Sequence, residues 1–308
     1  MRLPLVLASA TLLASTVACG GDDEPATAAS GSTSSGAGGA PTSSSSTGGG
    51  ATDAVTVTFA AKVNGATFAC GTTYDGLGAP ATKADLSDFR FYVHALRLVD
   101  GDKEVPLTLD QDGVWQHEDV ALLDFEDKKG ACSNGTAVTN ATVRGTVPAG
   151  TKHGAIRLKL GVPFALNHDD ASTAPSPLNL SALFWNWHPG HKFLRIDALP
   201  EGSMKPFNLH VGSTGCDGDP ATGGVTSCAS PNVAEVELGG FDAATNTIVL
   251  DYGKLVATTK LAGPDGGGAP GCMSSKTDPE CEPLFARLGL ELTSGMPKPG
   301  AQATFSVE

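Results

Sequence analysis

From Val55 to Val63 the chain alternates: Val55, Val57, Phe59, Ala61 and Val63 fall on one side of an extended backbone, with Thr56, Thr58 and Lys62 on the other. Successive side chains of a strand point to opposite faces, so this period of two predicts a strand with one face buried. Similar runs recur as FRFYVHALRLV (89–99), ATVRGTV (141–147), AIRLKLGV (155–162), KFLRIDAL (192–199), FNLHVG (207–212), AEVELGGF (234–241), NTIVLDY (246–252) and ATFSVE (303–308). Turn signals such as Asn64-Gly65, Asp100-Gly101 and Pro189-Gly190 separate them. With almost no helical period beside them, the runs predict an all-β protein, a β-sandwich or Greek-key barrel. LNLSALFWNW (178–187) fits either a strand or one or two helical turns, and 213–233 and 262–284 read as long irregular loops stapled by disulfides.

The opening MRLPLVLASATLLASTVAC has one arginine, an apolar run too short to span a membrane, small residues and then Cys19. That is the layout of a lipoprotein signal over residues 1–18 with lipid on Cys19, although Thr16 stands where leucine is usual. Residues 19–52 contain no aliphatic or aromatic side chain larger than alanine apart from proline, and cannot bury enough surface to offset the entropy of ordering. They read as a disordered Gly/Ser-rich tether reaching roughly 30 Å, leaving 53–308 as the β domain. The expected location is periplasmic or cell-surface, with the lipid as the only membrane contact.

An exported chain meets an oxidising compartment, so Cys70, Cys132, Cys216, Cys228, Cys272 and Cys281 are expected in disulfides. Local pairing joins Cys70 to Cys132, Cys216 to Cys228 and Cys272 to Cys281; spacing alone leaves other connectivities open. A structural zinc site is the rival, but these spacings are poor matches to zinc knuckles. The chain carries 20 Lys and Arg against 33 Asp and Glu, a net charge of −13. Removing the leader takes Arg2 and no acid, so nucleic acid is excluded as a partner class.

No G-x-S-x-G elbow, H-E-x-x-H motif or phosphate-binding glycine loop occurs. Chemistry is therefore left to histidine and tryptophan, and imidazole is the commonest transition-metal ligand outside the cytoplasm. His210 in FNLHVG shares a strand face with Asn208, opposite Phe207, Leu209 and Val211; the plain alternative is a solvated surface histidine. His94 lies on the Arg90, Tyr92, His94 face of its strand. His168 follows a strand beside Asn167, Asp169 and Asp170, which could orient its ring or simply form a turn. FWNWHPGH (184–191) concentrates Trp185, Trp187, His188 and His191. Its tryptophans could be core, a sugar-stacking platform, or the target of an oxidant.

Taken together, KVNGATFACG, DFRFYVHALRL, WQHEDVALLDFED, LGVPFALNH, PLNLSALFWNWHPGHKFLRID, FNLHVGSTGC, GGVTSC and APGCMS…PEC resemble the methanobactin-associated, MbnP-like copper-binding proteins over about residues 55–290. These proteins are the four-Cys members of a metallo-mystery pair. The resemblance implies an exported copper-binding protein, not an enzyme. It also implies a partner, a di-haem cytochrome peroxidase-like protein that oxidises a tryptophan to kynurenine. By the same resemblance the oxidation targets are Trp185 or Trp187 and the four-Cys motif is Cys216, Cys228, Cys272 and Cys281. The imidazole candidates for copper are His168 and His210, with His94 weaker. The chain departs from the family pattern at His188 and His191, where glutamine and an aromatic residue are common, which leaves the rest of the ligand set open. Two other classes stand beside this reading: a copper-dependent oxidase or monooxygenase, and a carbohydrate-binding or adhesion module.

Overall fold

Two sheets account for the alternation. The computed structural model describes residues 50–186, 188–219, 224–263 and 270–308; the leader, Cys19, most of the tether and Trp187 lie outside the described residues. The smaller sheet runs Phe305–Val307, Thr247–Asp251, Thr52–Val63, Thr142–Pro148 and Thr108–Leu109. The larger runs Ala234–Gly239, Ala155–Leu160, Thr82–Asp100, Leu194–Pro200, Phe207–Val211 and Gly271–Cys272, with Val120–Asp124 also paired to Thr82–Asp100. Pairing is antiparallel except where Thr52–Val63 meets Thr247–Asp251 and Phe207–Val211 meets Gly271–Cys272. Among the described residues, no helix is long and apolar enough to cross a membrane.

The inner faces meet in one core. Val57, Phe59, Ala61 and Val63 from the smaller sheet pack with Phe89, Phe91, Ile196, Leu209 and Val211 from the larger, and Phe59 meets Phe91 edge-on at 6.1 Å. Removing such a side chain from water contributes about 1.5–3 kcal/mol. The protein is thus an all-β sandwich, as the alternation predicts.

The central strand Thr82–Asp100 departs from simple alternation. Phe89, Phe91 and Val93 face the core, then Leu96 and Leu98 do so. The change of parity falls at Ala95, whose φ is 51°, where Lys159 pairs with His94 and Arg157 with Arg97. One extra residue on one strand makes a bulge, which lets the apolar run FRFYVHALRLV keep its inner face buried.

Two expected loops are more ordered than their composition implies. Thr214–Asp219 and Gly224–Ser230 form an antiparallel hairpin in which Cys216 and Cys228 are directly opposed. In the other, Gly271–Cys272 extends the larger sheet and Cys281 begins the helix Cys281–Leu288. Three disulfides are present: Cys70–Cys132, Cys216–Cys228 and Cys272–Cys281. LNLSALFWNW resolves into a 3-10 turn at Ser181–Leu183 followed by the short strand Phe184–Asn186.

Candidate metal centre

Part of the outer face of the larger sheet is covered. The segment from Val162 to Phe193 folds over it and makes a second core from Tyr92, Val120, Leu122, Val162, Leu166, Leu178, Leu183 and Phe193. Polar anchors hold this cover down. Tyr92 Oη donates to Pro177 O at 2.8 Å, and Arg195 Nη1 donates to Ala182 O at 2.9 Å.

His191 is the cover's internal brace. It is fully buried, with Nδ1 2.9 Å from Asn167 O and Nε2 2.9 Å from Leu178 O. Burial lowers its pKa, against the raising effect of those two carbonyls. Both ring nitrogens face backbone carbonyls, to one of which the neutral ring donates its single proton, so this histidine is structural. Its neighbour Gly190, at φ +78°, touches Asn167 so closely that a Cβ there would lie 2.2 Å from Asn167 O.

Covering the face turns His210 into a buried group, only 6 % exposed. Its Nε2 lies 2.7 Å from Asp197 Oδ1. The carboxylate's other oxygen accepts from Arg195 Nε at 2.8 Å and Nη2 at 2.7 Å. Arg195 in turn reaches Asp88 Oδ2 at 3.0 Å, and Asp88 pairs with Arg90. Burial raises the Asp197 pKa, but the hydrogen bond from His210 and the charge of Arg195 outweigh it, holding the carboxyl below its ordinary range. Burial lowers the His210 pKa, and the opposing pull of Asp197 does not offset it. The result is a neutral imidazole whose Nε2–H is donated to a carboxylate. Its Nδ1 is buried without a hydrogen-bond partner.

A buried acceptor with no partner costs about 1–3 kcal/mol. An imidazole oriented by a carboxylate through one nitrogen, with the other left open, is the usual state of a metal-ligating histidine. His210 thus offers one oriented imidazole nitrogen of the kind a transition metal takes.

Trp185 is the neighbour of this imidazole. The two rings lie 6.5 Å apart at 52°. Trp185 packs on Gly212, where a Cβ would meet Trp185 Cζ3 at 2.6 Å and His191 O at 2.6 Å. Gly212 is thus the floor that lets an indole lie against the sheet two residues from His210.

His168 approaches the same segment from the cover. It caps the short helix Phe164–Asn167 and meets Phe164 edge-on at 4.9 Å. Asn167 Nδ2 lies 3.3 Å from both His168 Nε2 and Ser213 Oγ. His168 Nε2 is also 3.6 Å from Cys228 Sγ.

His94 stands apart. Through paired strands His210 is in register with Arg195 and Arg195 with Arg90, four residues before His94 on the central strand. That is roughly 13 Å along the strand and about 10 Å across it, too far to share one ion. His94 instead lines a 720 Å³ cleft with Arg97, Asp119, Arg157 and Lys159. Burial pushes its pKa down to about 4, helped by Lys159.

Among the described residues, two clusters place three His, Cys, Asp or Glu donor atoms within 4.8 Å: His168 with Cys216 and Cys228, and Glu126 with Cys70 and Cys132. In both, the sulfurs are tied in a disulfide, and His210 belongs to neither. Sequence reasoning missed the roles of Asp197 and Gly212. The only signal for Asp197 is its parity with Arg195 on KFLRIDAL.

The chain as a whole has relatives among known proteins. The family model for MbnP matches residues 52–274. Among solved structures, MbnP from Methylosinus trichosporium is similar with a TM-score of 0.74 and 34 % identity, over 83 % of this chain and 98 % of that one. None of the curated proteins compared matches.

Proposed function

The chain belongs to the MbnP family, and from that premise we propose that it is an exported copper-binding protein that handles copper and does not itself catalyse a reaction. The observation that carries the reading is His210: a buried imidazole held by Asp197 through Nε2, with Nδ1 open beside the Trp185 ring. Nitrogen donors favour copper by affinity order.

Among the described residues His210 joins no three-atom cluster of the ordinary ligand types, so the site needs a donor from elsewhere. Trp185 supplies one if oxidised to kynurenine. An indole N–H only donates, whereas kynurenine presents an aniline nitrogen and a ketone that can meet a metal or its bound water. His168, held by Asn167 toward Ser213, is the second imidazole of this reading. Oxidation belongs to a di-haem cytochrome peroxidase-like partner, because haem reaches the required high-valent states. Copper binding would then follow export and modification. Lipid on Cys19 would hold the protein at the membrane while the tether gives it reach.

The test is peptide mapping of protein from its native host together with a copper titration. Kynurenine at Trp185 or Trp187 in copper-loaded protein is the expected result. Unmodified indoles in a copper-loaded sample would remove the haem partner from the reading, and loss of no affinity in His210→Ala would remove the site.

A further inference from the structure

His168 also belongs to a cluster with Cys216 and Cys228 that does not include His210, and this cluster carries its own chemistry. Cys216 and Cys228 are opposed across an antiparallel ladder whose flanking pairs, Thr214 with Ser230 and Asp217 with Ser227, hold the strands in register. Breaking the sulfur bond leaves that ladder in place, so the two Sγ atoms stay side by side. His168 Nε2 is already 3.6 Å from Cys228 Sγ, and all three donor atoms lie within 4.8 Å of one another. Three ligands each about 2.0–2.3 Å from a common ion are spaced on this scale.

We propose that, once the Cys216–Cys228 disulfide is reduced, the two cysteine thiolates and the His168 imidazole form a redox-gated site for Cu(I). Reduction takes two electrons and two protons from a dithiol, which closes to its own disulfide, and yields two thiols. Cu(I) then displaces the thiol protons to solvent and is held by two sulfurs and one nitrogen. Soft thiolates select Cu(I). Zinc prefers a fourth ligand that this cluster does not supply. The Cys70–Cys132 disulfide likewise has one half-buried and one buried sulfur, but its third group is the Glu126 carboxylate, a hard donor that does not suit Cu(I). Cys272 and Cys281 are both fully buried.

The reading of His210 can fail without touching this one, and the experiment separates them. Mature protein is treated anoxically with a phosphine reductant, alkylation mapping selects the condition in which only Cys216 and Cys228 are freed, and Cu(I) is titrated against a Cu(I) chelator. Reduced protein is expected to gain a thiolate-to-Cu(I) ultraviolet band absent from oxidised protein. His210→Ala should retain the band, Cys216→Ser/Cys228→Ser should lack it, and His168→Ala should bind at least tenfold more weakly. Cys216→Ser gives a second route with the other disulfides intact and no reductant, since it leaves Cys228 and His168 as a weaker two-donor site that His168→Ala abolishes. Reduced protein that competes no better than oxidised protein overturns the proposal, as does a band that survives Cys216→Ser/Cys228→Ser or an affinity indifferent to His168→Ala.

Discussion

Asp197→Asn tests the metal centre most sharply, because it changes charge and almost nothing else. In the wild type, Asp197 Oδ1 takes the proton of His210 Nε2 while Oδ2 takes two from Arg195. An asparagine has one oxygen to offer. Arg195 has only donors and claims that oxygen, which turns the amide NH2 toward His210. Nε2 must then accept, so the ring proton moves to Nδ1, which has no hydrogen-bond partner. Loss of an orienting carboxylate costs 10–100-fold in metal affinity; the tautomer change puts this variant near about 100-fold, or roughly 2.8 kcal/mol. Arg195 keeps Asp88 at 3.0 Å and Ala182 O at 2.9 Å, so the stability cost stays below the about 3–5 kcal/mol of a broken buried pair. Chelator competition reads the first quantity and urea unfolding the second. A folded Asp197→Asn protein that binds copper within threefold of wild type would refute the assignment of His210 Nδ1 as ligand.

Three other outcomes follow from the same geometry. Gly212→Ala places a methyl 2.6 Å from both His191 O and Trp185 Cζ3; it should cost about 1–3 kcal/mol by overpacking and shift the Trp185 fluorescence, both visible in one unfolding titration. His191→Ala removes the imidazole whose one N–H serves Asn167 O or Leu178 O and should cost at least about 2 kcal/mol, with faster hydrogen exchange confined to the cover. For His94, burial sets the folded pKa at about 4 against 6.5 unfolded, so between these values the unfolded chain takes up a proton that the folded one refuses. Its stabilising effect is complete above pH 6.5 and lost as pH falls toward 4. His94→Gln should therefore lose up to about 3 kcal/mol less than wild type across that window, measured by urea midpoints at pH 7, 5.5 and 4.5.

The parts of this protein legible in sequence are those set by local periodicity. FNLHVG places Leu209 and Val211 in the core and His210 opposite, and the structure agrees. What the alternation does not contain is whether the opposite face meets water. His210 reads as a solvated histidine until the cover from Val162 to Phe193 is laid over it, and that cover is specified by long-range contacts such as His191 with Leu178 and Tyr92 with Pro177. The same gap explains the two conspicuous histidines of FWNWHPGH. His191 has both ring nitrogens occupied by backbone carbonyls, a fact fixed by where residues 167 and 178 come to rest. His210 is in a plain strand and becomes chemically notable only because Asp197, on the neighbouring strand, lies in register with Asn208 and turns its carboxylate to the imidazole. Strand register decides that His210 meets the Asp197 carboxylate, and register between strands is a quantity that a period of two within a strand cannot carry.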